Sequence, residues 1–219
     1  MNNTVLDIGD ATYFAADHHF GHRNMLAYEN RPFADTAELR RALIERHNET
    51  VPVRGATVIF LGDYLWGERD DEDELRKITR QLHGDTKILL LGNHDRLPTE
   101  RYERVFDRVV PKDASFSVRR GGREIGCVHS PMTIYSGIVP DADDLPSGYD
   151  MIRVVLEIDA PRIGGEWLCG HVHGVFRKLG PVVNAGVDVW DYRPAAIGDI
   201  LATLDDPTVV IPGPKGFGV

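Results

Sequence analysis

Histidine and aspartate side chains gather where short apolar segments run out into loops. Seven of the nine histidines follow such a segment in a loop that contains glycine or aspartate. The residues that could bind a metal or move a proton fall into five blocks: Asp17-His18-His19, Gly62-Asp63, Gly92-Asn93-His94-Asp95, His129 and Gly170-His171-Val172-His173. Because ligands of open α/β sheets gather outside the carboxyl ends of the strands, we expect the five blocks to meet at one rim.

The donor types in these blocks favour first-row transition metals. Imidazole nitrogens combine with carboxylate and amide oxygens and without thiolates, a mixture that suits Mn²⁺, Fe²⁺ or Zn²⁺ better than Ca²⁺ or Mg²⁺. Asp17 and His19 are two residues apart, as are His171 and His173, so near-extended backbone would direct each pair to one side. The candidate donors are Asp17, His19, Asp63, Asn93, His129, His171 and His173. Because these are too many for one tetrahedral ion, we expect two ions that share a carboxylate, as in two-metal hydrolysis.

The segments that precede these blocks carry the signals of buried strands and amphipathic helices. Short apolar runs bounded by glycine or aspartate predict three strands, over 12–16, 57–61 and 87–91. Apolar residues at four-residue spacing predict a helix over 36–51 with Asp35 as its N-cap. A second helix is predicted over 70–84, because acids fill its first turn and Gly84 follows its last.

The second half of the chain is richer in strand signals. A hairpin is predicted over 115–130, with its turn at Gly121-Gly122. Further strands are predicted near 166–170, 181–187 and 196–204. A helix is predicted over 149–157 and a long surface loop over 131–147. Since no linker-like shift in composition separates the two halves, we expect them to form two sheets around one core.

The composition is that of an ordinary globular protein of 219 residues, with 42% hydrophobic and 27% charged residues. The formal net charge of −9 has the wrong sign for a protein that clamps duplex nucleic acid. We expect a single domain over 1–211 and a flexible C-terminal tail over 212–219.

The cysteines and the N-terminal segment indicate a cytoplasmic protein. Cys127 and Cys169 lie inside apolar runs, which predicts buried thiols and not a disulfide. The first twenty residues lack a signal-peptide pattern, and no apolar stretch approaches ~18 residues. We therefore expect no contact with a membrane.

The ordered set D-x-H, GD, GNHD, a lone histidine and GHxH resembles the calcineurin-like metallophosphoesterase superfamily. The finer pattern DHHFGHRN, followed by RPF and by NAGVDVWDYRP, is similar to a small stand-alone branch found in bacteria and bacteriophages. The resemblance implies a single-domain α/β fold, a four-layer αββα sandwich of two mixed sheets flanked by helices. It places metal-bearing loops at one edge.

The resemblance also implies roles for the site residues. One ion would be held by Asp17, His19, Asp63 and His173, and the other by Asp63, Asn93, His129 and His171. Asp63 would bridge them, and a hydroxide between the ions would attack phosphorus in line. We expect two divalent ions, Mn²⁺ first, with Fe²⁺, Zn²⁺, Co²⁺ and Ni²⁺ as alternatives. His94 matches the family's non-ligand histidine that protonates the leaving oxygen, and Asp95 is a candidate to orient or charge it.

Other residues near the blocks have two interpretations each. His22 and Arg23 could bind a substrate oxygen, or they could cap a helix or lie on the surface. Three aromatic residues on loops could stack on a nucleobase or close the edge of a core: Tyr64, Trp66 and Tyr135. His18 points away from the ligand pair and is predicted to pack beneath the rim.

These observations predict a phosphodiesterase that acts on small or cyclic nucleotide diesters, 2′,3′-cyclic or 3′,5′-cyclic. A monoester dianion favours additional arginines, and none stands beside the second or fourth block. The alternatives are a phosphomonoesterase, protein phosphatases included, and a non-catalytic metal-binding scaffold. A scaffold should have lost ligands or the proton donor, whereas every position of the motifs is filled.

Overall fold

The computed structural model describes residues 4–66, 71–112, 114–131, 164–208 and 210–214. The strands are β1 (Val5–Asp7), β2 (Thr12–Ala15), β3 (Thr57–Phe60), β4 (Thr86–Leu90), β5 (Arg108–Val110), β6 (Phe116–Arg120), β7 (Arg123–Cys127), β8 (Glu166–Cys169), β9 (Phe176–Leu179), β10 (Val182–Asn184), β11 (Ala195–Ala196) and β12 (Val210–Pro212). The helices are α1 (Met25–Tyr28), α2 (Thr36–Thr50), α3 (Glu72–Thr79), α4 (Thr99–Glu103) and α5 (Ile197–Asp205), and a 3₁₀ helix spans Val187–Val189.

The strands form two mixed sheets. The smaller has the order β11-β2-β3-β4-β5, with β2 to β5 parallel and β11 antiparallel to β2. The larger has the order β1-β6-β7-β8-β10-β9-β12 and also combines parallel and antiparallel pairs. In the smaller sheet Ala15 pairs with Phe60, and Phe60 with Leu89, so β2, β3 and β4 end level. The loops that follow them therefore begin at one edge.

Alternating side chains of the smaller sheet enter two different cores. Phe14 and Ile59 face the larger sheet and share a buried cluster with Leu168. Phe60 faces the other way and packs with Leu43 of α2 among the helices. Each large apolar side chain buried in this way contributes about 1.5–3 kcal/mol. The arrangement confirms the predicted α/β fold, with two mixed sheets flanked by helices.

The predicted helices of the first half are present. Asp35 caps α2, since its carboxylate accepts the Glu38 backbone N–H at 2.8 Å. The helix expected over 70–84 is shorter in the structure, where α3 ends at Thr79. The following turn tightens, because the Leu82 N–H donates to the carbonyl of Thr79, three residues back.

In the second half one strand prediction is wrong. The hairpin is confirmed as β6 and β7 with its turn at Gly121-Gly122, and two predicted strands are β8 and β10. Of the segment 196–204, predicted as a strand, only Ala196 lies in a strand, β11, and the rest forms α5. Four apolar residues of α5 recur at helical spacing and pack on the cluster between the sheets: Ile197, Ile200, Leu201 and Leu204.

Cys127 and Cys169 are buried free thiols, as predicted. Among the described residues no helix is long and apolar enough to cross a membrane. The predicted helix over 149–157 and nearly all of the predicted loop over 131–147 lie outside the described residues. The predicted domain boundary at 211 falls within β12 and stays a prediction.

Candidate metal centre

The structure brings six of the seven predicted ligands into two groups. Within each group the ligand atoms lie within 4.8 Å of one another. The first group is Asp17, His19 and His173, and the second group is Asp63, His129 and His171. The seventh residue, Asn93, joins the second group, because its Oδ1 lies 2.9 Å from His129 Nε2 and 3.0 Å from His171 Nδ1.

Asp63 stands between the two groups. Its Oδ2 lies 3.4 Å from Nε2 of His19 in the first group and 3.4 Å from Nε2 of His129 in the second. Its other oxygen, Oδ1, accepts the His94 backbone N–H at 2.8 Å. A carboxylate in this position can share its oxygens between two cations.

The backbone of the ligand residues is left-handed, not extended as the sequence analysis expected. Positive φ angles of 46–71° occur at five of the seven predicted ligands: Asp17, His19, Asp63, His171 and His173. The ligand atoms of Asp17 and His19 still meet at one site, with a left-handed backbone at each of the two residues. A left-handed non-glycine residue costs of order 1–3 kcal/mol, and such strain concentrates at functional sites. Backbone hydrogen bonds hold the turns, including those from the Asp17 and His19 N–H groups to the carbonyls of Gly62 and Asp63, both 3.0 Å.

Two glycines let these loops approach each other. Gly62 has φ +93°, and a Cβ there would lie 2.4 Å from His129 Nδ1. A Cβ on Gly92 would lie 2.2 Å from Asp63 Oδ1. The glycines of the GD and GNHD motifs therefore make room for the ligand side chains.

Several buried polar atoms of the centre have no hydrogen-bond partner among the described residues. They include Oδ2 of Asp63 and both ring nitrogens of His19. An unsatisfied buried polar group costs about 1–3 kcal/mol, so native proteins rarely leave one without a function. A cation between these atoms would satisfy them, and the donors suit it, since the set combines imidazole, carboxylate and amide groups.

Burial and mutual charge set the protonation of the ligands. Burial lowers the pKa of His19 to about 2 and that of His171 to about 4, so both rings are neutral at pH 7. Burial raises the pKa of the Asp17 carboxyl to about 6. Burial also opposes a charge on His129, but the negative charge of Asp63, whose Oδ2 lies 3.4 Å from His129 Nε2, outweighs it and raises the pKa of His129 to about 9.

Two buried residues that the sequence analysis did not single out lie behind the first group. Arg31 and Asp188 form an ion pair, with Arg31 Nε 2.8 Å from Asp188 Oδ1. Asp188 Oδ2 lies 3.2 Å from Nδ1 of His173. Both residues fall in motifs that carried the resemblance, RPF and NAGVDVWDYRP. Their position in these two motifs is the sequence signal by which Arg31 and Asp188 could have been identified as site residues.

The predicted proton donor lies at the centre, but its predicted helper does not contact its ring. The His94 ring centroid is 5.3 Å from that of His19, and burial lowers the pKa of His94. Asp95 instead accepts backbone N–H groups from Asp63, Tyr64 and Gly92 at 2.8–3.0 Å. The structure thus shows Asp95 holding the loops, while Nδ1 of His94 finds no hydrogen-bond partner within the described part of the chain.

Of the predicted substrate-binding residues, His22 lies beside the centre, with its ring centroid 5.4 Å from that of His19. His22 is buried and stacks on Trp66 at 3.7 Å, and the Arg96 guanidinium lies 4.3 Å from the Trp66 ring centroid. Arg23 is exposed. Tyr135 lies outside the described residues.

The two remaining predictions from this region concern core packing. Tyr64 is fully buried, and its hydroxyl forms a hydrogen bond of 3.0 Å with the Thr79 hydroxyl. It therefore closes the edge of the core. His18 packs on Phe20 with ring centroids 5.2 Å apart, beneath the rim as expected.

A cavity of about 220 Å³ opens beside the second group. It is lined by Leu91, Asn93, Lys112, Ala114, Val128, His129, Ser130 and His171. Three of these are predicted ligands, so a molecule in the cavity would contact the centre directly.

Comparison with known proteins supplies further findings. A family model described as calcineurin-like phosphoesterase matches residues 12–175 and so spans all five blocks. An uncharacterised protein of Methanocaldococcus jannaschii is 33% identical over 200 residues, which are 90% of this chain and 93% of that protein. A crystal structure of a protein of unknown function from Aquifex aeolicus aligns at a TM-score of 0.61 with 25% identity, covering 88% of this chain and 98% of that chain. A nuclease of Pseudomonas putida, MPE, aligns at a TM-score of 0.38 with 18% identity, covering 80% and 74%.

Proposed function

Because this chain belongs to the calcineurin-like phosphoesterase family, we propose that it is a dinuclear metal-dependent phosphodiesterase that hydrolyses small or cyclic nucleotide diesters. The observation that carries the proposal is the position of Asp63, one oxygen of which lies 3.4 Å from a histidine of each ligand group. Family membership supports the coarser statement, a metal-dependent phosphoester hydrolase.

The ligands divide as the two groups suggest. Asp17, His19 and His173 would hold one ion, and His129, His171 and Asn93 the other, with Asp63 shared. When bound, two divalent cations neutralise the non-bridging phosphate oxygens and lower the pKa of water between them. We propose Mn²⁺ as the metal, because the mixed nitrogen and oxygen donors suit a borderline first-row ion.

His94 is the proposed donor of a proton to the leaving oxygen. Its backbone N–H donates a hydrogen bond of 2.8 Å to Asp63 Oδ1, which keeps His94 beside the shared ligand. In the free protein burial lowers the pKa of His94, which favours the neutral ring. A phosphate placed beside the ring would favour the protonated form, so substrate binding itself would charge the acid. Asp95 acts by holding the loop that carries His94.

The surroundings favour a singly charged diester with a small substituent. The buried Arg31 is bonded to Asp188 and to the Asp17 and His18 carbonyls, so it is not available to a phosphate. The cavity of about 220 Å³ gives one substituent a partly apolar place, against Leu91 and Ala114. We retain Tyr135 as a candidate for base stacking and His22 and Arg23 as candidates for substrate contact.

One observation favours a phosphomonoesterase as the second candidate. Lys112 lines the cavity and makes no ion pair within the described part of the chain. An ammonium group near the centre could balance the second charge of a monoester dianion.

The deciding experiment compares bis-p-nitrophenyl phosphate with p-nitrophenyl phosphate. Metal-stripped protein is assayed with Mn²⁺, Zn²⁺ or Mg²⁺ restored, beside the Asp63→Ala variant. We expect metal-dependent cleavage of the diester that the variant lacks, followed by turnover of 2′,3′- or 3′,5′-cyclic nucleotides. Preference for the monoester would replace the proposal with the phosphatase. Two bound ions without cleavage of either ester would indicate a scaffold.

A further inference from the structure

A buried ion pair, Arg31 and Asp188, lies directly behind the first ligand group. We propose that this pair positions the first group and sets the metal affinity of that group alone. The inference rests on the proposed dinuclear centre and concerns how one half of it is built.

The pair is closed to solvent and bidentate. Arg31 is 4% exposed and Asp188 5%. Arg31 Nε donates to Asp188 Oδ1, and Arg31 Nη2 donates to Oδ2, both at 2.8 Å. Two parallel hydrogen bonds of this kind fix the plane of the carboxylate as well as its position.

The carboxylate is thereby aimed at a ligand. Asp188 Oδ2 lies 3.2 Å from His173 Nδ1, within hydrogen-bonding distance. A proton on Nδ1 leaves Nε2 as the free, basic nitrogen of the ring. A carboxylate behind a metal-binding histidine fixes its tautomer and orientation in this way.

The same arginine also holds the stretch of backbone that carries the other two members of the group, Asp17 and His19. Its Nη1 donates to the His18 carbonyl at 2.9 Å, and its Nη2 donates to the Asp17 carbonyl at 2.6 Å. These carbonyls lie in the segment where Asp17 and His19 adopt positive φ. One side chain therefore restrains this strained turn directly and His173 through Asp188.

The second group has a different support. Nδ1 of His129 lies 2.7 Å from the carbonyl of Leu61, a backbone group that no side-chain substitution removes. A substitution of Asp188 should therefore weaken metal binding at the first group and leave metal binding at the second group unchanged.

The test is a metal titration of the whole chain. Metal-stripped wild type and Asp188→Asn are titrated with Mn²⁺ and, for its visible absorption, with Co²⁺. We expect one of the two sites of the variant to weaken about 10–100-fold, with the other unchanged. The Co²⁺ spectrum of the weakened site should also change, because the tilt of the His173 ring alters the ligand field.

A double variant distinguishes positioning from general stability. Asp188→Asn alone leaves the buried Arg31 charge uncompensated, which destabilises a protein strongly. Arg31→Gln/Asp188→Asn removes both charges and keeps hydrogen-bonding groups in place. We expect it to regain thermal stability in the metal-free state and yet to keep the weakened site. The matched control is Arg46→Gln/Asp191→Asn, which removes an exposed ion pair of 3.0 Å and should bind both ions as wild type does.

The outcomes divide clearly. Equal weakening of both sites, no weakening, or recovery of affinity together with stability would each overturn the inference. A wild type that takes up no metal would overturn both proposals. A wild type that binds two ions but cleaves no phosphoester would overturn only the proposed function, since affinity and spectrum are read without turnover.

Discussion

A buried pair of charged side chains stands behind the first ligand group, whereas a backbone carbonyl stands behind His129 of the second group, which opens to a cavity. Behind Asp17, His19 and His173 stands the buried pair of Arg31 and Asp188. Behind His129 stands the Leu61 carbonyl, and the second group opens to the cavity that Lys112 lines.

The difference in support corresponds to a difference in exposure. Asp17 and His19 are no more than 1% exposed, whereas Asn93 of the second group is exposed. A buried group with a charged network behind it is suited to keep an ion. An open group beside a cavity is suited to meet a substrate, because exchange of water for a phosphate oxygen needs access.

The largest effect should come from the residue that both groups share. Asp63→Ala removes the oxygen that lies 3.4 Å from His19 and from His129, so both groups lose a ligand. We expect loss of both ions after gel filtration and of all metal-dependent hydrolysis. Elemental analysis provides the measurement. Two fully occupied sites in this variant would show that the groups are independent and that Asp63 does not bridge them.

The next largest effect should separate the chemistry from metal binding. His94→Ala removes the proposed acid and no ligand, so both ions should stay while turnover falls by roughly 10²–10⁴. The loss should appear on esters with a poor leaving group and shrink on p-nitrophenyl esters, whose leaving group needs no proton. Steady-state rates on the two ester types give the comparison. Equal loss on both, or none, would remove His94 from this role.

The smallest expected effect is a dependence of metal affinity on pH, and it distinguishes the second group from the first. In the metal-free protein the His129 pKa is raised to about 9, so below that pH an ion must displace a proton from the ring. Affinity of the second group should therefore rise with pH, by up to about tenfold per unit, and level off above about pH 9. Calorimetry in buffers of different ionisation heat would count the released protons. An affinity that stays flat from pH 6 to pH 9 would contradict this.

Most of the architecture that places the site could be predicted from local pattern. The apolar runs before Asp17, Asp63 and Asn93 are short and buried, and they are the strands β2, β3 and β4. The strand predicted over 196–204 is wrong from residue 197 on, because the apolar residues of this segment recur at helical spacing and form one buried face of α5. Strands such as β9, with Arg177 and Lys178 among its four residues, lack an apolar pattern altogether.

The sequence by itself determined the donor set and the order of its blocks, because residue type and spacing decide which metal chemistry is available. Only the tertiary structure decided how the donors divide and what stands behind them. Arg31 and Asp188 are 157 residues apart, and their pairing depends on where two distant loops meet in the fold. The positive φ angles of Asp17 and His19 likewise come from hydrogen bonds to a neighbouring loop, which no local propensity encodes.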